Sequence, residues 1–326
     1  MMRIGFVQGT VARTFGSTRR IVELSNALLA LGHDVTVYTK NGQKPRWIPL
    51  QAPVKLWGAV RGGYDLLLFN NSKPEELQLV RRAKARVRAF YVLGWGETRL
   101  DDIEQQIKEG SPSAAIRVIR QAFDDPEMLI LACSTWIGKH LQERYREDAQ
   151  ILLGGINRDH FRPYPKPEDQ LMRYYYSGDP RKRKGTDTVK KAISEAIHRL
   201  KRTGSVQTYW GKGMPQVQMG RWYSEATVFA DGQHWAGWNN PVLEAMACKS
   251  PVVCTDIGGV RDFAFHECTA LLVPPDDVDA MTEALVRLVK DPVMGGHLAQ
   301  NAYEHVGQFT WEKTARRLVE LVEGRL

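Results

Sequence analysis

The sequence predicts an α/β protein with two doubly wound domains, each a parallel sheet covered by helices. The chain has 326 residues, enough for two domains with separate cores. It opens with a predicted strand (4–8), a loop with glycines, a helix (17–31) and a second strand (35–38), an order typical of doubly wound sheets. A comparable series begins with the predicted strand 174–177, after a polar segment rich in proline.

The composition excludes several classes of protein. Hydrophobic residues make up 43% and charged residues 25% of the chain, which is typical of a soluble globular protein. No apolar run approaches the roughly 18 residues that cross a bilayer, and residues 1–3 lead directly into the first strand without a signal-peptide core. We therefore expect a cytoplasmic protein, with peripheral attachment to the inner membrane face as an open alternative.

The net charge of +8 favours anionic partners. Nucleotides and lipid phosphates both fit, whereas we expect no nucleic acid partner. A dense basic run precedes the predicted strand 89–93 and has two interpretations, a solvated helix end or a patch that contacts anionic lipid. The sequence does not separate them. The run consists of Arg81, Arg82, Lys84, Arg86 and Arg88.

No spacing of cysteine, histidine or aspartate predicts a metal site. Four cysteines lack paired metal spacing and lie in apolar contexts, which predicts reduced core thiols, and the eight histidines form no ligand motif. Asp277 and Asp279 precede a helical pattern, so we expect a helix cap and first turn there. No P-loop occurs, which argues against a nucleoside triphosphatase. The cysteines are Cys133, Cys248, Cys254 and Cys268.

The domain boundary follows from a linker. Predicted strands at 66–70, 89–93 and 128–133 continue the first domain, and three prolines between 163 and 167 lie in a polar segment that reads as a linker. The last segment of the chain fits a terminal helix. The predicted parts are a first domain at 1–163, a second at 164–308 and a C-terminal helix at 309–326.

The second domain opens with a loop whose chemistry suits phosphate. Between strand 174–177 and a helix at 186–200, the loop begins at Gly178 and carries four successive cations at 181–184. Guanidinium groups and helix-start amides converge at such a position. We interpret the loop as a diphosphate site, with a solvated charged loop as the alternative.

The stretch 237–259 is the most informative in the chain. Asn240 and Pro241 read as a helix cap and first helical position, with Glu244 on an exposed face one turn in. A short apolar run then reads as a buried parallel strand at 252–254, followed by a glycine turn. A helix start, a nearby carboxylate and a glycine turn after a strand suit a ligand with phosphate and ribose.

This stretch resembles the C-terminal signature of retaining family 4 glycosyltransferases, which have the GT-B fold. That signature has a glutamate, seven residues and a second glutamate, within Pro-x-x-Glu-Ala-Met-Ala. Glu244 falls on the second glutamate, and Ala236 stands where the first is expected. The resemblance implies two Rossmann-like domains facing a cleft, an acceptor-side domain at 1–163 and a nucleotide-sugar-binding domain at 164–308. It also implies that the C-terminal helix at 309–326 crosses back to the first domain. It also implies sugar transfer from a nucleotide-diphosphate donor with retention at the anomeric carbon, without a metal or other cofactor.

The resemblance also implies roles for particular residues. Lys184 matches a family lysine, and Arg181 is the candidate for an arginine whose usual position holds Asp179; both would stabilise the departing diphosphate. Glu244 would hold the ribose. Glu97 is a candidate to substitute for a missing histidine, with an ordinary surface glutamate as the alternative. The expected catalytic residues are Lys184, Arg181 and Glu244. The expected contacts to the nucleotide sugar are Gly16, Gly178, Gly211, Gly237, Trp238, Asn239, Asn240 and Glu244.

Three questions stay open at this level. The acceptor is a glycan, a lipid-linked sugar or a small molecule, and the transferred group is a hexose or, as Ala236 hints, a deoxyhexose. Another GT-B enzyme, such as a nucleotide-sugar epimerase, would share both domains. A non-catalytic protein that binds a nucleotide sugar is the second alternative.

Overall fold

A computed structural model describes residues 1–94, 105–106, 108–110, 112–169, 171–210 and 214–326. These residues form two compact units. The first comprises Met1–Gly155 with Thr310–Leu326, and the second comprises Ile156–Phe309. The chain therefore passes from the first unit to the second after Gly155, before the proline-rich segment, whose residues belong to the second unit.

The first unit is built on one parallel sheet. It contains the strands β1 (Arg3–Val7), β2 (Asp34–Thr39), β3 (Val54–Leu56), β4 (Gly62–Phe69), β5 (Lys84–Val92), β6 (Met128–Ala132) and β7 (Gln150–Ile151). Their order is β3-β2-β1-β4-β5-β6-β7, and each neighbouring pair is parallel. The order reverses direction at β1, so the carboxyl ends of β1 and β4 form the switch point at which doubly wound sheets bind ligands.

In the described part of the chain, α-helices connect β1 to β2, β4 to β5, β5 to β6 and β6 to β7, as is usual between parallel strands. In the described residues the first unit has α1 (Gly16–Ala30), α2 (Pro74–Arg82), α3 (Ala114–Phe123) and α4 (Thr135–Arg144). The apolar positions Ile21, Leu24 and Leu28 predicted for the first helix are buried on one face of α1. The strand β6 is buried along its whole length, as expected for a strand covered on both faces.

Ion pairs balance much of the basic run. Arg81 lies in the last turn of α2, and its guanidinium is 3.4 Å from the Asp125 carboxylate. On β5, Arg86 lies 3.5 Å from Asp65, and Arg88 is paired with Glu127. Because these acids are part of the same surface, the run presents less net positive charge than its sequence indicates.

The second unit has its own parallel sheet and core. Its strands are β8 (Met172–Tyr176), β9 (Gly204–Thr208), β10 (Val228–Asp231), β11 (Val252–Thr255) and β12 (Leu271–Val273). They lie in the order β12-β11-β10-β8-β9 and pair in parallel. In the described residues its helices are α5 (Thr186–Leu200), α6 (Gln216–Glu225), α7 (Asn240–Ala247), α8 (Val278–Lys290) and α9 (Pro292–Val306).

The core of the second unit joins α5 and α8 to one face of the sheet. Val189 and Ile193 of α5 and Leu285 of α8 are buried with Tyr174 and Val253 in a single apolar cluster. Burial of large apolar side chains of this kind contributes about 1.5–3 kcal/mol each. The second unit therefore has an apolar core of its own.

The C-terminal helix packs within the first unit. This helix, α10 (Trp311–Glu323), buries Trp311, Leu318 and Val322. The Thr314 hydroxyl donates to the Leu153 carbonyl oxygen at 3.0 Å. Gly155 leaves room for it, since a Cβ at that position would lie 2.5 Å from the Trp311 backbone nitrogen. Within the described ranges, no helix combines the length and apolar content needed to cross a bilayer.

The predicted helix cap at Asp277 is confirmed, whereas the predicted burial of all four cysteines is not. Asp277 caps α8, since its Oδ1 accepts from the Ala280 N–H at 2.8 Å, which confirms the helix-cap prediction. Cys133, Cys248 and Cys254 are buried free thiols as predicted, but Cys268 is exposed, because it lies in a surface turn before β12. No group of three or more metal-binding side chains occurs among the residues that the structure describes.

Candidate functional site

The candidate site lies at the carboxyl edge of the second sheet. Strands β8 and β10 are direct neighbours, with Tyr176 opposite Ala230. The loop that follows β8 (178–185) and the loop that follows β10 (232–239) therefore leave the sheet side by side. This edge is where open α/β sheets bind ligands.

The two loops touch through their backbones. Gly185 has φ +56°, and a Cβ there would lie 1.8 Å from the Gly232 carbonyl oxygen. The His234 N–H donates to the Arg183 carbonyl oxygen at 2.9 Å. Both the left-handed backbone and the close approach require glycine at 185. The contact fixes the position of Lys184, the last cation of the loop.

Lys184 is held by the second loop. Its Nζ donates to Oε1 of Gln233 at 2.6 Å. Burial lowers the pKa of Lys184 to about 8, against the smaller opposing effect of the Asp231 carboxylate. The ammonium is thus partly stripped of water, so its attraction for an anionic ligand would be stronger than in bulk water.

Arg181, the other expected clamp residue, is engaged within its own loop. Its Nε lies 3.0 Å from both carboxylate oxygens of Asp179, and Asp179 is buried. The guanidinium also lies over the Trp210 ring, 5.3 Å from its centroid. Because Asp179 offsets its charge, Arg181 offers a phosphate less attraction than the sequence indicated.

The helix start at α7 differs by one residue from the prediction. Asn239 is the N-cap, and its Oδ1 accepts from the Val242 N–H at 3.5 Å. Asn240 was expected to cap, but it is already the first helical residue, and Pro241 follows it. The Asn239 N–H donates to the Gly259 carbonyl oxygen at 3.0 Å, so the glycine turn after β11 positions this cap.

Glu244 lies on α7 but is buried rather than exposed. The side chain is 2% exposed, and Oε2 accepts from the Tyr223 hydroxyl at 3.0 Å. Cys248, one turn later, is buried as well, so the two residues share a face as expected. The expectation of exposure was wrong, because α6 packs against α7 and its Tyr223 contacts Glu244.

The other expected contact residues lie in different parts of the two units. Gly237 is buried next to Trp238, whose ring packs 5.1 Å from Phe263 and 5.5 Å from Phe309, between centroids. Its side chain is therefore part of the core. Gly178 has φ +76° in the loop that follows β8, and Gly16 is the exposed first residue of α1 in the first unit.

Two of the predicted residues lie outside the described residues. These are Gly211, an expected contact, and Glu97, the substitute for the missing histidine.

Sequence reasoning missed a buried polar network beside Lys184. Asp231, the last residue of β10, accepts from Asn239 Nδ2 at 2.8 Å and from Gln233 Nε2 at 3.2 Å. Gln233 Nε2 also donates to Asn239 Oδ1 at 2.9 Å. All three side chains are at most 3% exposed. The available signal was an acid directly after an apolar strand, at the sheet edge where ligands bind.

Comparison with known proteins finds a family that part of the chain resembles. Residues 168–291 match the family described as Glycosyl transferases group 1. A D-inositol 3-phosphate glycosyltransferase of Kribbella flavida is 34% identical over 109 residues, which are 33% of this chain and 26% of that protein. The chain spans about a quarter of the length of the curated relatives it matches.

Two solved structures share the fold over the whole chain. Sucrose-phosphate synthase of Thermosynechococcus elongatus has a TM-score of 0.79 at 19% identity and covers 99% of both chains. HepE of Anabaena, solved in complex with UDP-glucose, has a TM-score of 0.73 at 13% identity and covers 99% of this chain and 100% of its own. With the two parallel sheets, these matches confirm the predicted GT-B fold class.

Proposed function

We propose that the protein transfers a sugar from a nucleotide-diphosphate donor to an acceptor, because residues 168–291 match the family Glycosyl transferases group 1 and the chain has the GT-B fold. The observation that carries the proposal is the desolvated ammonium of Lys184, held between the loops after β8 and β10. A cation at this sheet edge, beside the starts of α5 and α7, suits a diphosphate better than a neutral ligand.

The proposed chemistry is electrostatic. As the bond between the sugar and the diphosphate breaks, negative charge grows on the departing phosphate. Lys184 and the backbone amides at the start of α5 would stabilise that charge, with Arg181 as a second cation when it leaves Asp179. We propose that transfer proceeds with retention and without a metal, and that the donor phosphate itself receives the acceptor proton.

We propose that Glu244 holds the ribose of the nucleotide. A carboxylate accepts the two ribose hydroxyls through charge-assisted hydrogen bonds. In the structure Glu244 accepts from the Tyr223 hydroxyl, so ribose hydroxyls would replace or join that bond. Backbone amides at 237–240, where the chain enters α7, would lie near the diphosphate or the sugar.

Named relatives guide the choice of substrates. HepE was solved with UDP-glucose, so UDP-sugars are the first donors to test, with hexoses and deoxyhexoses as transferred groups. Several curated relatives are named D-inositol 3-phosphate glycosyltransferases, so we propose a phosphorylated polyol as one acceptor class beside glycans and lipid-linked sugars. We place the reaction in the cytoplasm, in the synthesis of polysaccharides or glycoconjugates.

A second candidate function is binding of a nucleotide sugar without turnover. It is favoured by Ala236, which is buried where the family signature has its first glutamate. A methyl side chain cannot make the polar sugar contact that a carboxylate makes. A nucleotide-sugar epimerase would also use the diphosphate site, and it would release an epimerised sugar nucleotide with no acceptor present.

The test begins with thermal unfolding in the presence of nucleoside diphosphates and nucleotide sugars, because a ligand that binds the folded state raises Tm. The stabilising donor is then incubated with acceptors of the three classes, and the products are examined by NMR for anomeric configuration. Transfer with retention supports the proposal. Donor binding without transfer or hydrolysis supports the binding protein, and no Tm shift with any nucleotide at millimolar concentration overturns both.

A further inference from the structure

Asp231 is a buried carboxylate that lacks a direct cationic partner among the bonds described for it. It accepts from the Gln233 N–H at 3.3 Å, from Gln233 Nε2 at 3.2 Å and from Asn239 Nδ2 at 2.8 Å. All these groups are neutral. A buried charge without a nearby opposite charge is costly, so the position of the nearest cation matters to this site.

A cation is connected to Asp231 through one amide. Lys184 Nζ donates to Oε1 of the same Gln233 whose Nε2 donates to Asp231. The amide therefore stands between ammonium and carboxylate with its dipole aligned to both. We call this set, Lys184, Gln233 and Asp231 with Asn239, the amide relay.

Asp231 also decides which way the amides point. An ionised carboxylate only accepts hydrogen bonds, so Gln233 and Asn239 both turn their NH2 groups toward it. That leaves the Gln233 oxygen as the group that faces Lys184. The side-chain oxygen of Asn239, Oδ1, accepts from Gln233 Nε2 and from the Val242 N–H of α7.

We propose that Asp231 and Gln233 are positioning residues, which hold the Lys184 ammonium in the orientation and charge state that receive the diphosphate of the nucleotide-sugar donor. The inference deepens the proposed function and rests on it for the identity of the anion. Asp231 also bonds Asn239, the N-cap of α7. One carboxylate therefore orients both the amide that holds Lys184 and the residue that caps α7.

The charged groups around Lys184 make the relay measurable. Burial is the main cause that lowers its pKa, and Arg183 and Arg181 of its own loop lower it further. Asp231 of β10 and Asp179 of the loop raise it, Asp231 more strongly. On the neighbouring loop, Nε2 of His234 faces Oδ1 of Asp276 at 2.8 Å. Removal of the Asp231 charge should therefore lower the pKa of Lys184.

Asp231→Asn is the first variant, because it preserves shape and removes the charge. With its Oδ1 kept on the Gln233 N–H and on Asn239 Nδ2, the new asparagine would turn its NH2 group toward Nε2 of Gln233. The Gln233 amide would then reverse, and its oxygen would no longer face Lys184. Gln233→Met, which keeps the length and removes the acceptor, is the second variant. Circular dichroism and Tm establish that each is folded before it is compared.

The readout is the pH dependence of Lys184 acylation by acetic anhydride, measured by mass spectrometry on the full chain without nucleotide. Exposed Lys190 of α5 is the internal reference. We expect both variants to shift the Lys184 midpoint down by about one pH unit, a common size of shift for a perturbed group, with no change at Lys190. A Lys184 midpoint equal to that of the parent in both folded variants overturns the relay.

Binding of UDP by calorimetry separates this inference from the proposed function. If the parent binds UDP, Asp231→Asn should bind it about tenfold more weakly at pH 8.5, as expected for one pKa unit, and nearly as well at pH 6.5. Binding with the same pH profile in variant and parent contradicts the positioning role. If no nucleoside diphosphate binds the parent while the midpoints shift, the relay stands and the proposed function fails.

Discussion

Lys184 carries the sharpest prediction at the scale of single residues. Lys184→Ala should weaken binding of a nucleoside diphosphate by about 1.5–3 kcal/mol, the contribution of a hydrogen bond to a charged group, and leave nucleoside binding unchanged. Because its pKa is about 8, diphosphate binding by the parent should also decline as pH rises through 8. Calorimetry with UDP and uridine measures both effects. Lys190→Ala on the same helix is the control, and equal losses for UDP and uridine would remove Lys184 from the phosphate site.

Glu76 of α2 carries a prediction about stability. It is fully buried, and burial raises its pKa from 4.5 to about 7. The folded state therefore holds a proton that the unfolded chain has lost, and the parent loses stability as pH rises from about 4.5 to about 7. Glu76→Gln should gain up to about 3 kcal/mol relative to the parent above pH 7, since one pKa unit is about 1.4 kcal/mol.

Urea unfolding at pH 5 and pH 8 tests this prediction. The exposed neighbour Glu75→Gln is the matched control, and it should show little difference between the two pH values. A Glu76→Gln variant whose advantage does not grow between pH 5 and pH 8 would show that the buried carboxyl is not protonated near neutral pH.

At the scale of single residues, the sequence predicted the identity of key residues but not their side-chain contacts. The lysine and the motif glutamate were found because their spacing is local, within one loop or one helix. The burial of Glu244 under Tyr223 and the bonding of Arg181 to Asp179 depend on side chains whose contacts no periodicity encodes. The amide relay needs the end of β10, the loop after it and the start of α7 to meet, which only the folded sheet brings about.

At the scale of elements, the start of α7 gives a paired prediction. Asn239→Ala should cost about 0.5–2 kcal/mol for the lost cap, and more where Asp231 loses its shortest hydrogen bond. Asn240→Ala, one residue along, should be nearly neutral because its side chain is not the cap. Urea unfolding of both variants measures the difference, and equal costs would contradict the assignment of Asn239 as N-cap.

The sequence predicted the positions of these helices and strands closely, but it misplaced one helix cap. The sequence placed a helix at 186–200 and the structure has α5 at Thr186–Leu200, because glycine, a threonine and apolar spacing mark that helix locally. The predicted strand 252–254 became β11 at Val252–Thr255. The cap of α7 was misplaced by one residue because two adjacent asparagines have equal capping chemistry. Contacts that only the fold supplies, such as those of Asn239 with Gly259 and Asp231, distinguish them.

At the scale of the whole molecule, the chain returns to its first unit through α10. Deletion of residues 310–326 removes Trp311, Leu318 and Val322 from the first unit, and each such side chain contributes about 1.5–3 kcal/mol. We expect faster amide hydrogen exchange in β1 and α1 of the deleted protein, with β10 and β11 of the second unit unaffected. Equal protection of β1 and α1 with and without α10 would contradict this assignment.

The glycine pair at the candidate site determines how this protein can vary. Gly185 and Gly232 face each other, and a methyl group added to either would meet backbone of the other loop at 1.8 and 2.7 Å. The spacing between Lys184 and Asp231 is therefore fixed by two missing side chains. Mutagenesis aimed at new donor specificity can exchange the polar residues around this contact, but neither glycine can be replaced singly without separating the ammonium from its counter-charge.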